Sequence, residues 1–286
     1  MTVHELDNLV QSRNLMPFII EKLGKLPIDF SEKISLIREK NKARNEAASA
    51  AGVILLLRIR EQSSPNNQEP ALLFTKRSSR VSQAGDLSCP GGILSKKLDP
   101  ILKTLLLCRL NPIIAGKARD FLRQRDGMTS KTISLLLATA LRETWEEINL
   151  FPLKISFLGP LPTYAAVRYQ RTIFPLVGFI KKDWSFHPND EVERIFEIPL
   201  KTFFHPGNYR PLRLKAPEGF MPEINYSLEF PCLIYRDHQD HEDILWGATF
   251  MIVMNFMHVV FDLEMPELDS KNVVYKSLNE NYIRNR

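Results

Sequence analysis

The chain lacks the features that mark secreted, membrane-spanning and metal-thiolate proteins. It has only three cysteines in 286 residues, Cys89, Cys108 and Cys232. Their spacing matches no metal-ligand pattern and their number is odd, so we interpret them as reduced thiols of an intracellular protein. The N-terminus has no basic segment followed by an apolar core, and no apolar run is long enough to cross a membrane. We therefore expect a cytoplasmic protein.

The chain also lacks a large excess of either sign of charge. The 38 Lys and Arg residues stand against 33 Asp and Glu, which gives a formal net charge of +5. This small excess suits anionic partners such as phosphorylated metabolites. It is equally compatible with an ordinary, mildly basic surface, so composition alone leaves both interpretations open.

Acidic side chains concentrate in residues 140–150, where an apolar stripe predicts an amphipathic helix. Helical spacing places Glu143, Glu146 and Glu147 on one face, where like charges repel. A hard divalent cation such as Mg²⁺ or Mn²⁺ relieves that repulsion, because it binds carboxylate oxygens together with water and phosphate. Arg142 lies four residues before Glu146 and can orient it by a charge-assisted hydrogen bond. A solvated acidic face is the competing interpretation.

These features resemble the Nudix box, a pattern written G-x5-E-x7-R-E-U-x-E-E-x-G-U, in which U is an aliphatic residue. Gly92, at the end of a Pro-Gly-Gly turn, matches the first position, and residues 142–150 match the last nine. Thr144 stands at an aliphatic position. Asn149 replaces the last Gly, and Asn is the residue that best tolerates a left-handed helix end after Gly. The chain therefore resembles the Nudix hydrolase superfamily.

The resemblance is interrupted in the middle of the box. Gly92 and Arg142 are 50 positions apart where the pattern needs 14, so about 36 residues are inserted. The isolated Glu of the pattern falls on Leu98 counted from Gly92, or on Ser134 counted back from Arg142. Asp99 is the nearest carboxylate and the candidate to replace this Glu as a metal ligand. The sequence leaves that replacement open.

Segments outside the box resemble the coenzyme A diphosphatase branch of this superfamily. Residues 73–79 and 85–92 are similar to its LLTxRS…GEVAFPGG segment, and further matches follow in the same order to about residue 260. The resemblance implies substrate contacts from four residues, Arg77, Arg80, Gly91 and Gly92. Solvated loop charge is the alternative interpretation of the two arginines. The Arg and His of the branch fall on Val81 and Gln83 here, which is a departure from its pattern.

The resemblance also assigns roles at the reaction centre. It implies a catalytic set of Arg142, Glu143, Glu146 and Glu191, and a metal set of Glu143, Glu146, Glu147 and Asp99. Glu191 matches a Glu-Val position of the branch, and a carboxylate outside the box often serves Nudix enzymes as a base or an additional ligand. A charge placed favourably at a helix N-terminus is the alternative for Glu191.

The fold implied is the Nudix α/β/α sandwich, an α/β fold with a mixed sheet between helices. We predict a helical N-terminal preface at 1–48, a Nudix domain at 49–263 and a polar C-terminal tail at 264–286 that frays in part. The insertion, about 98–133, is predicted to be a peripheral helical hairpin that forms a cap, a packing element or an oligomer contact. Its basic residues are expected to face solvent in part, and they include Lys103, Arg109, Arg119 and Arg123.

The function implied is metal-dependent hydrolysis of a nucleoside diphosphate-linked substrate, with coenzyme A or an acyl-CoA as the leading substrate. The alternatives are a diphosphatase for another nucleotide such as ADP-ribose, and a non-catalytic Nudix-fold nucleotide-binding protein. The missing Glu and the insertion favour the binding protein, whereas the retained, mutually repelling carboxylates oppose it. The expected partner is a small-molecule nucleotide. We expect no binding to nucleic acid or to a membrane, and the sequence leaves a homodimer open.

Overall fold

The computed structural model describes residues 1–44, 48–61, 68–108, 111–166, 170–181, 184–215, 229–237, 241–268, 271–278 and 282. Arg109 of the predicted basic insertion lies outside them. The α-helices are α1 Val3–Gln11, α2 Leu15–Lys25, α3 Phe30–Arg44, α4 Asp99–Leu106, α5 Gly116–Gln124, α6 Gly127–Ile148 and α7 Gly247–Phe261. The strands are β1 Ser49–Glu61, β2 Gln68–Arg77, β3 Leu87–Ser88, β4 Gly91–Ile93, β5 Ile155–Pro160, β6 Tyr164–Ala166, β7 Arg171–Ile180, β8 Val192–Pro199, β9 Tyr209–Lys215, β10 Glu229–Arg236, β11 Glu242–Trp246 and β12 Val274–Ser277.

The first sheet is organised around β1 and β7, two long apolar strands that run parallel. β2 pairs antiparallel with β1, and β8 pairs antiparallel with β2. Beyond β7 lie the antiparallel strands β5 and β6. The short strand β4 continues along the β2 side of β1, with Gly92 opposite Gly52. The sheet is therefore mixed, and the Gly91-Gly92 turn is paired to a central strand.

Helices cover both faces of this sheet. Ile54 and Leu56 of β1 belong to one apolar cluster with residues of α3 and α6. Leu55 and Leu57 belong to the opposite cluster with residues of α1, α2 and α7. The alternation follows from the strand geometry, in which successive side chains point to opposite faces. The predicted α/β/α sandwich with a mixed sheet is confirmed.

The insertion is helical, as predicted, but it is packed into the domain. Ile113, Ile114, Ala118 and Leu122 are buried in the same cluster as Ile133 of α6. The expectation of a peripheral hairpin is corrected by this burial. The helix of the box also begins earlier than expected, at Gly127, so the last residues of the predicted insertion are the first turns of α6.

The two ends of the chain pack against the domain as well. Leu6, Ile19 and Leu23 of the N-terminal helices are buried in the main core. At the other end, β12 pairs in parallel with β9 and completes a second sheet in the order β11-β10-β9-β12. The tail predicted to fray thus contains an ordered strand at Val274–Ser277. Within the part of the chain that the structure describes, no helix combines the length and apolarity needed to cross a membrane.

Candidate active site

The carboxylates of the box lie on the C-terminal half of α6, whose two ends are fixed by the sequence. Asp126 caps the start, because its Oδ1 accepts hydrogen bonds from the backbone N–H groups of Met128 and Thr129, both over 2.9 Å. Asn149 ends the helix in the left-handed conformation, with φ of 55°. This is the conformation that the Gly of the box pattern provides, so the Asn replacement preserves the helix end.

Arg142 is the centre of a carboxylate network. Its Nε donates to Asp99 Oδ1 over 2.8 Å. Its Nη1 donates to Glu146 Oε2 over 2.9 Å and lies 2.9 Å from Glu143 Oε1. The orientation of Glu146 by Arg142, predicted from their spacing, is present in the structure. One guanidinium therefore partly neutralises three carboxylates that would otherwise repel one another.

Asp99 is fully buried, with 0% exposure. Besides Arg142, its Oδ2 accepts hydrogen bonds from Thr139 Oγ1 over 2.7 Å and from the backbone N–H of Ser95 over 2.8 Å. Both of its oxygens are thus engaged by protein donors. These contacts favour a role in positioning Arg142 over the metal-ligand role predicted for Asp99. Neither Thr139 nor Ser95 matches a defined residue of the box pattern, so their contacts with Asp99 were not predictable from it.

The Gly-Gly turn lies against the same helix face. A Cβ atom added to Gly92 would overlap the carboxylate of Glu143. Gly91 has φ of 148°, and a Cβ there would meet the backbone of Gly52 and Val53 in β1. The first glycine lets the turn approach β1, and the second leaves room for the carboxylate. Burial raises the pKa of Glu143 above its ordinary value, against the opposing charge of Arg142.

Glu147 is the most deeply buried of the three box carboxylates, with 9% exposure. Its Oε2 has no hydrogen-bond partner among the described residues. Burial, reinforced by the charge of Glu143, raises the pKa of Glu147 to about 8. Cys89 lies close enough to feel the Glu147 charge, and burial raises the pKa of its thiol to about 12. The site thus holds a buried carboxylate oxygen without a hydrogen-bond partner among the described residues, which is costly when the carboxylate is charged and no cation is present.

The other predicted residues approach this centre to different degrees. Arg77 is half-buried, and its charge lowers the pKa of Glu147, whereas the charge of Glu191 raises it. The backbone of Glu191 is held by Ser78 N–H, which donates to its carbonyl over 2.8 Å. Arg80 instead pairs with exposed Asp190 at 2.5 Å. Arg77 and Glu191 are therefore near enough to influence the charge of Glu147, whereas Arg80 is engaged in an exposed ion pair.

The donor set fits a hard divalent cation. Among the described residues, no three His, Cys, Asp or Glu side chains form a preformed metal-binding group. The carboxylates nevertheless supply oxygen ligands of the type that Mg²⁺ and Mn²⁺ prefer. The buried Oε2 of Glu147 and the partly exposed carboxylates of Glu143 and Glu146 are the oxygens that remain for such an ion. Asp99 is already committed to protein donors.

Comparisons with known proteins were made over the whole chain. No family model matches the chain. Over 188 residues it is 29% identical to an uncharacterized Nudix hydrolase, NudL, of Escherichia fergusonii, covering 64% of this chain and 74% of that protein. Over 94 residues it is 41% identical to NudL of Pectobacterium atrosepticum, covering 32% of this chain and 48% of that protein. These matches support the Nudix hydrolase superfamily.

A solved structure of a MutT/nudix family protein from Enterococcus faecalis is also similar, with a TM-score of 0.41 and 12% identity, covering 92% of this chain and 75% of that chain. The predicted class of enzyme, a Nudix hydrolase acting on phosphorus anhydrides, is supported by the relatives in sequence. The chain spans only about half of the Pectobacterium protein, at 48%. The substrate and the identity of the metal are therefore matters for proposal.

Proposed function

We propose that the protein hydrolyses a nucleoside diphosphate-linked substrate at its diphosphate, with coenzyme A or an acyl-CoA as the leading substrate and Mg²⁺ or Mn²⁺ as the cofactor. The observation that carries the proposal is the buried Oε2 of Glu147, which has no protein partner within the described structure. The neighbouring box carboxylate, Glu143, lies 2.9 Å from the Arg142 guanidinium, which is itself held by the fully buried Asp99. A protein that only binds a nucleotide has no need to bury an unpaired carboxylate oxygen at this cost in free energy.

Glu143, Glu146 and Glu147 are the residues that would hold the cation. When bound, a divalent cation supplies charge neutralisation to the diphosphate and lowers the pKa of a water that it holds. Arg142 keeps Glu146 and Glu143 oriented while itself being held by Asp99. A small displacement of these carboxylates would lower the rate of hydrolysis, because reacting groups must meet within a few tenths of an ångström.

The residues around the cluster fit a phosphate-bearing substrate. Arg77 provides a fixed cation beside Glu147, since its Nε donates to the carbonyl of Ser82 over 2.7 Å. Its remaining guanidinium nitrogens suit phosphate oxygens. Glu191 brings a further carboxylate to the same side, where it is the candidate general base. The preference for coenzyme A rests on the resemblance of the segment that carries Arg77.

A product assay over a panel of nucleotides tests the proposal. Purified protein is incubated with coenzyme A, an acyl-CoA, ADP-ribose, NADH and dinucleoside polyphosphates, each with Mg²⁺ or Mn²⁺, and phosphate-ended products are measured by mass spectrometry. We expect coenzyme A or its acyl derivative to give the highest kcat/KM. Preferred cleavage of ADP-ribose would replace the substrate assignment. Tight nucleotide binding without turnover of any panel member would favour the non-catalytic binding protein.

A further inference from the structure

A second buried carboxylate lies outside the catalytic cluster, after the loop that follows Arg77. Asp86 is only 9% exposed. Trp246 Nε1 donates to Asp86 Oδ1 over 3.0 Å, and Lys276 Nζ lies 2.7 Å from the same oxygen. The hydroxyl of Tyr282 donates to Asp86 Oδ2. Three donors thus compensate one buried charge, which is the condition under which a carboxylate is stable away from water.

All three donors come from the C-terminal part of the chain. Trp246 ends β11, Lys276 belongs to β12, and Tyr282 follows β12 and is itself 9% exposed. The Trp246 and Tyr282 contacts bridge 160 and 196 positions of sequence. Lys276 Nζ also lies 5.7 Å from the centre of the Trp246 ring, so the donors form one packed group. Asp86 therefore joins the C-terminal strand to the segment that precedes β3 of the first sheet.

Asp86 is also tied to Arg77 through the backbone. The N–H of Arg77 donates to the carbonyl of Asp86 over 3.0 Å, and the N–H of Gly85 donates to the carbonyl of Arg77 over 2.8 Å. These bonds close the loop of residues 78–85 at its base. The Arg77 side chain folds over that loop to reach the Ser82 carbonyl. A displacement of Asp86 would consequently move the backbone from which the Arg77 guanidinium projects.

We propose that Asp86 is a positioning residue through which Trp246, Lys276 and Tyr282 fix the backbone of Arg77 and so the place of its guanidinium. The inference rests on the proposed function, in which Arg77 binds substrate phosphate. It gives the C-terminal strand a part in the site, although no residue of that strand belongs to the Nudix box. Asp86 acts through Arg77 and has no contact with the box carboxylates in this account.

A double-mutant cycle tests whether Asp86 acts through Arg77. Asp86→Asn keeps the shape of the side chain and removes the charge that Lys276 neutralises. We expect KM to rise on the order of tenfold with a smaller change in kcat, because the phosphate contact is displaced while the box remains intact. In an Arg77→Met background the same substitution should have little further effect. Independent effects that multiply in the double variant would overturn the proposal.

Lys276→Met provides a milder second variant, in case Asp86→Asn reduces folding. It removes a single donor and retains an apolar side chain that can still pack on Trp246. Its KM should rise in the same direction as that of Asp86→Asn. The matched control is Glu229→Gln, which breaks an exposed ion pair with Arg213 on the same second sheet. We expect wild-type kinetics from this control; a rise of KM in it equal to that in Lys276→Met would contradict a specific role for Asp86.

Amide hydrogen exchange separates this proposal from the proposed function. In Lys276→Met and Tyr282→Phe, the amides of Arg77 and Gly85 should exchange faster, because the loop base loses support. The amide of Leu56 in β1 should keep its protection. Unchanged exchange at Arg77 and Gly85 in both variants would overturn the proposal, whatever the activity. Faster exchange in a protein that cleaves no panel member would support the attachment and reject only the catalytic function.

Discussion

Arg142 Nε lies 2.8 Å from Asp99 Oδ1, and this contact joins residues 43 positions apart. Asp99 is the first residue of α4, in the insertion, whereas Arg142 belongs to the helix of the box. The insertion therefore supplies a carboxylate partner to the guanidinium of the box helix. Because the pair is buried, substitution of Asp99 should be costly: a guanidinium that loses its partner away from water is strongly disfavoured.

Asp99→Asn should lower kcat by about 10- to 100-fold, because Arg142 loses the charge that fixes it and no longer orients Glu146. The affinity for Mn²⁺, measured by titration calorimetry, should fall by much less than kcat, because Glu143, Glu146 and Glu147 all remain as ligands. Ser134→Ala is the control, since Ser134 is equally buried and its hydroxyl donates to the Ser130 carbonyl within the same helix. A large loss of Mn²⁺ affinity in Asp99→Asn would instead restore Asp99 as a ligand.

Gly92→Ala should reduce turnover at least tenfold, because the added methyl group occupies the place of the Glu143 carboxylate and displaces it. Steady-state kinetics with the preferred nucleotide measure the effect. Gly127→Ala is the matched control, because a Cβ at this first residue of α6 meets no atom within 4 Å. Its activity should equal that of the wild type. Equal activity in Gly92→Ala would show that Glu143 lies elsewhere during turnover.

Glu147→Gln should stabilise the metal-free protein at alkaline pH. The folded-state pKa of Glu147 is raised to about 8 from an ordinary 4.5. The folded protein then holds a proton that the unfolded chain releases, so wild-type stability falls as pH rises from about 4.5 to about 8. Gln has no such loss, and the variant should be more stable by on the order of 1–3 kcal/mol at pH 9.

Urea unfolding in chelator at pH 5 and pH 9 measures this difference. The advantage of Glu147→Gln should be largest at pH 9 and small at pH 5. Added Mn²⁺ should stabilise the wild type and leave the variant nearly unchanged, because ligand binding to the folded state alone raises its stability. An advantage of the same size at both pH values would contradict the burial of an ionisable Glu147.

Leu122→Ala should lower the free energy of unfolding by about 2–4 kcal/mol, because the side chain is buried in the core cluster shared with α6. Leu105→Ala, on the 61% exposed Leu105 of α4, should change it by less than about 0.5 kcal/mol.

Replacing residues 100–133 with a Gly-Ser linker should abolish cooperative unfolding, because it removes the buried side chains of the insertion together with the start of α6. If the deletion variant still unfolds cooperatively, the insertion is a peripheral element and is not part of the core.

The sequence was most informative where the chemistry is local. The helix of the box, its end at Asn149 and the contact of Arg142 with Glu146 follow from helical spacing and from the conformational preference of Asn. The Gly-Gly turn was also predictable, because glycine is favoured where backbones approach closely. These features depend on residues no more than a few positions apart.

Long-range contacts were not predictable in this way. Counting along the box placed the missing Glu at Leu98 or Ser134, whereas the contact with Arg142 is made through space by Asp99. The burial of Ile113 and Ile114 was not predictable, because they lie in an irregular segment without helical period between basic stretches of the insertion. The pairing of β12 with β9 joins distant segments, so the polar composition of the tail gave no sign of it.

Turnover with and without a divalent cation, in wild type and Glu147→Gln, tests the central claim most directly. The assay uses the nucleotide that the panel shows to be cleaved fastest, and Glu229→Gln serves as the control for substitution of an exposed carboxylate. We expect cleavage at the diphosphate by wild type and control in Mn²⁺ or Mg²⁺, no cleavage in chelator, and a loss of about a hundredfold or more in Glu147→Gln. Undiminished turnover in chelator, or in folded Glu147→Gln, would contradict it.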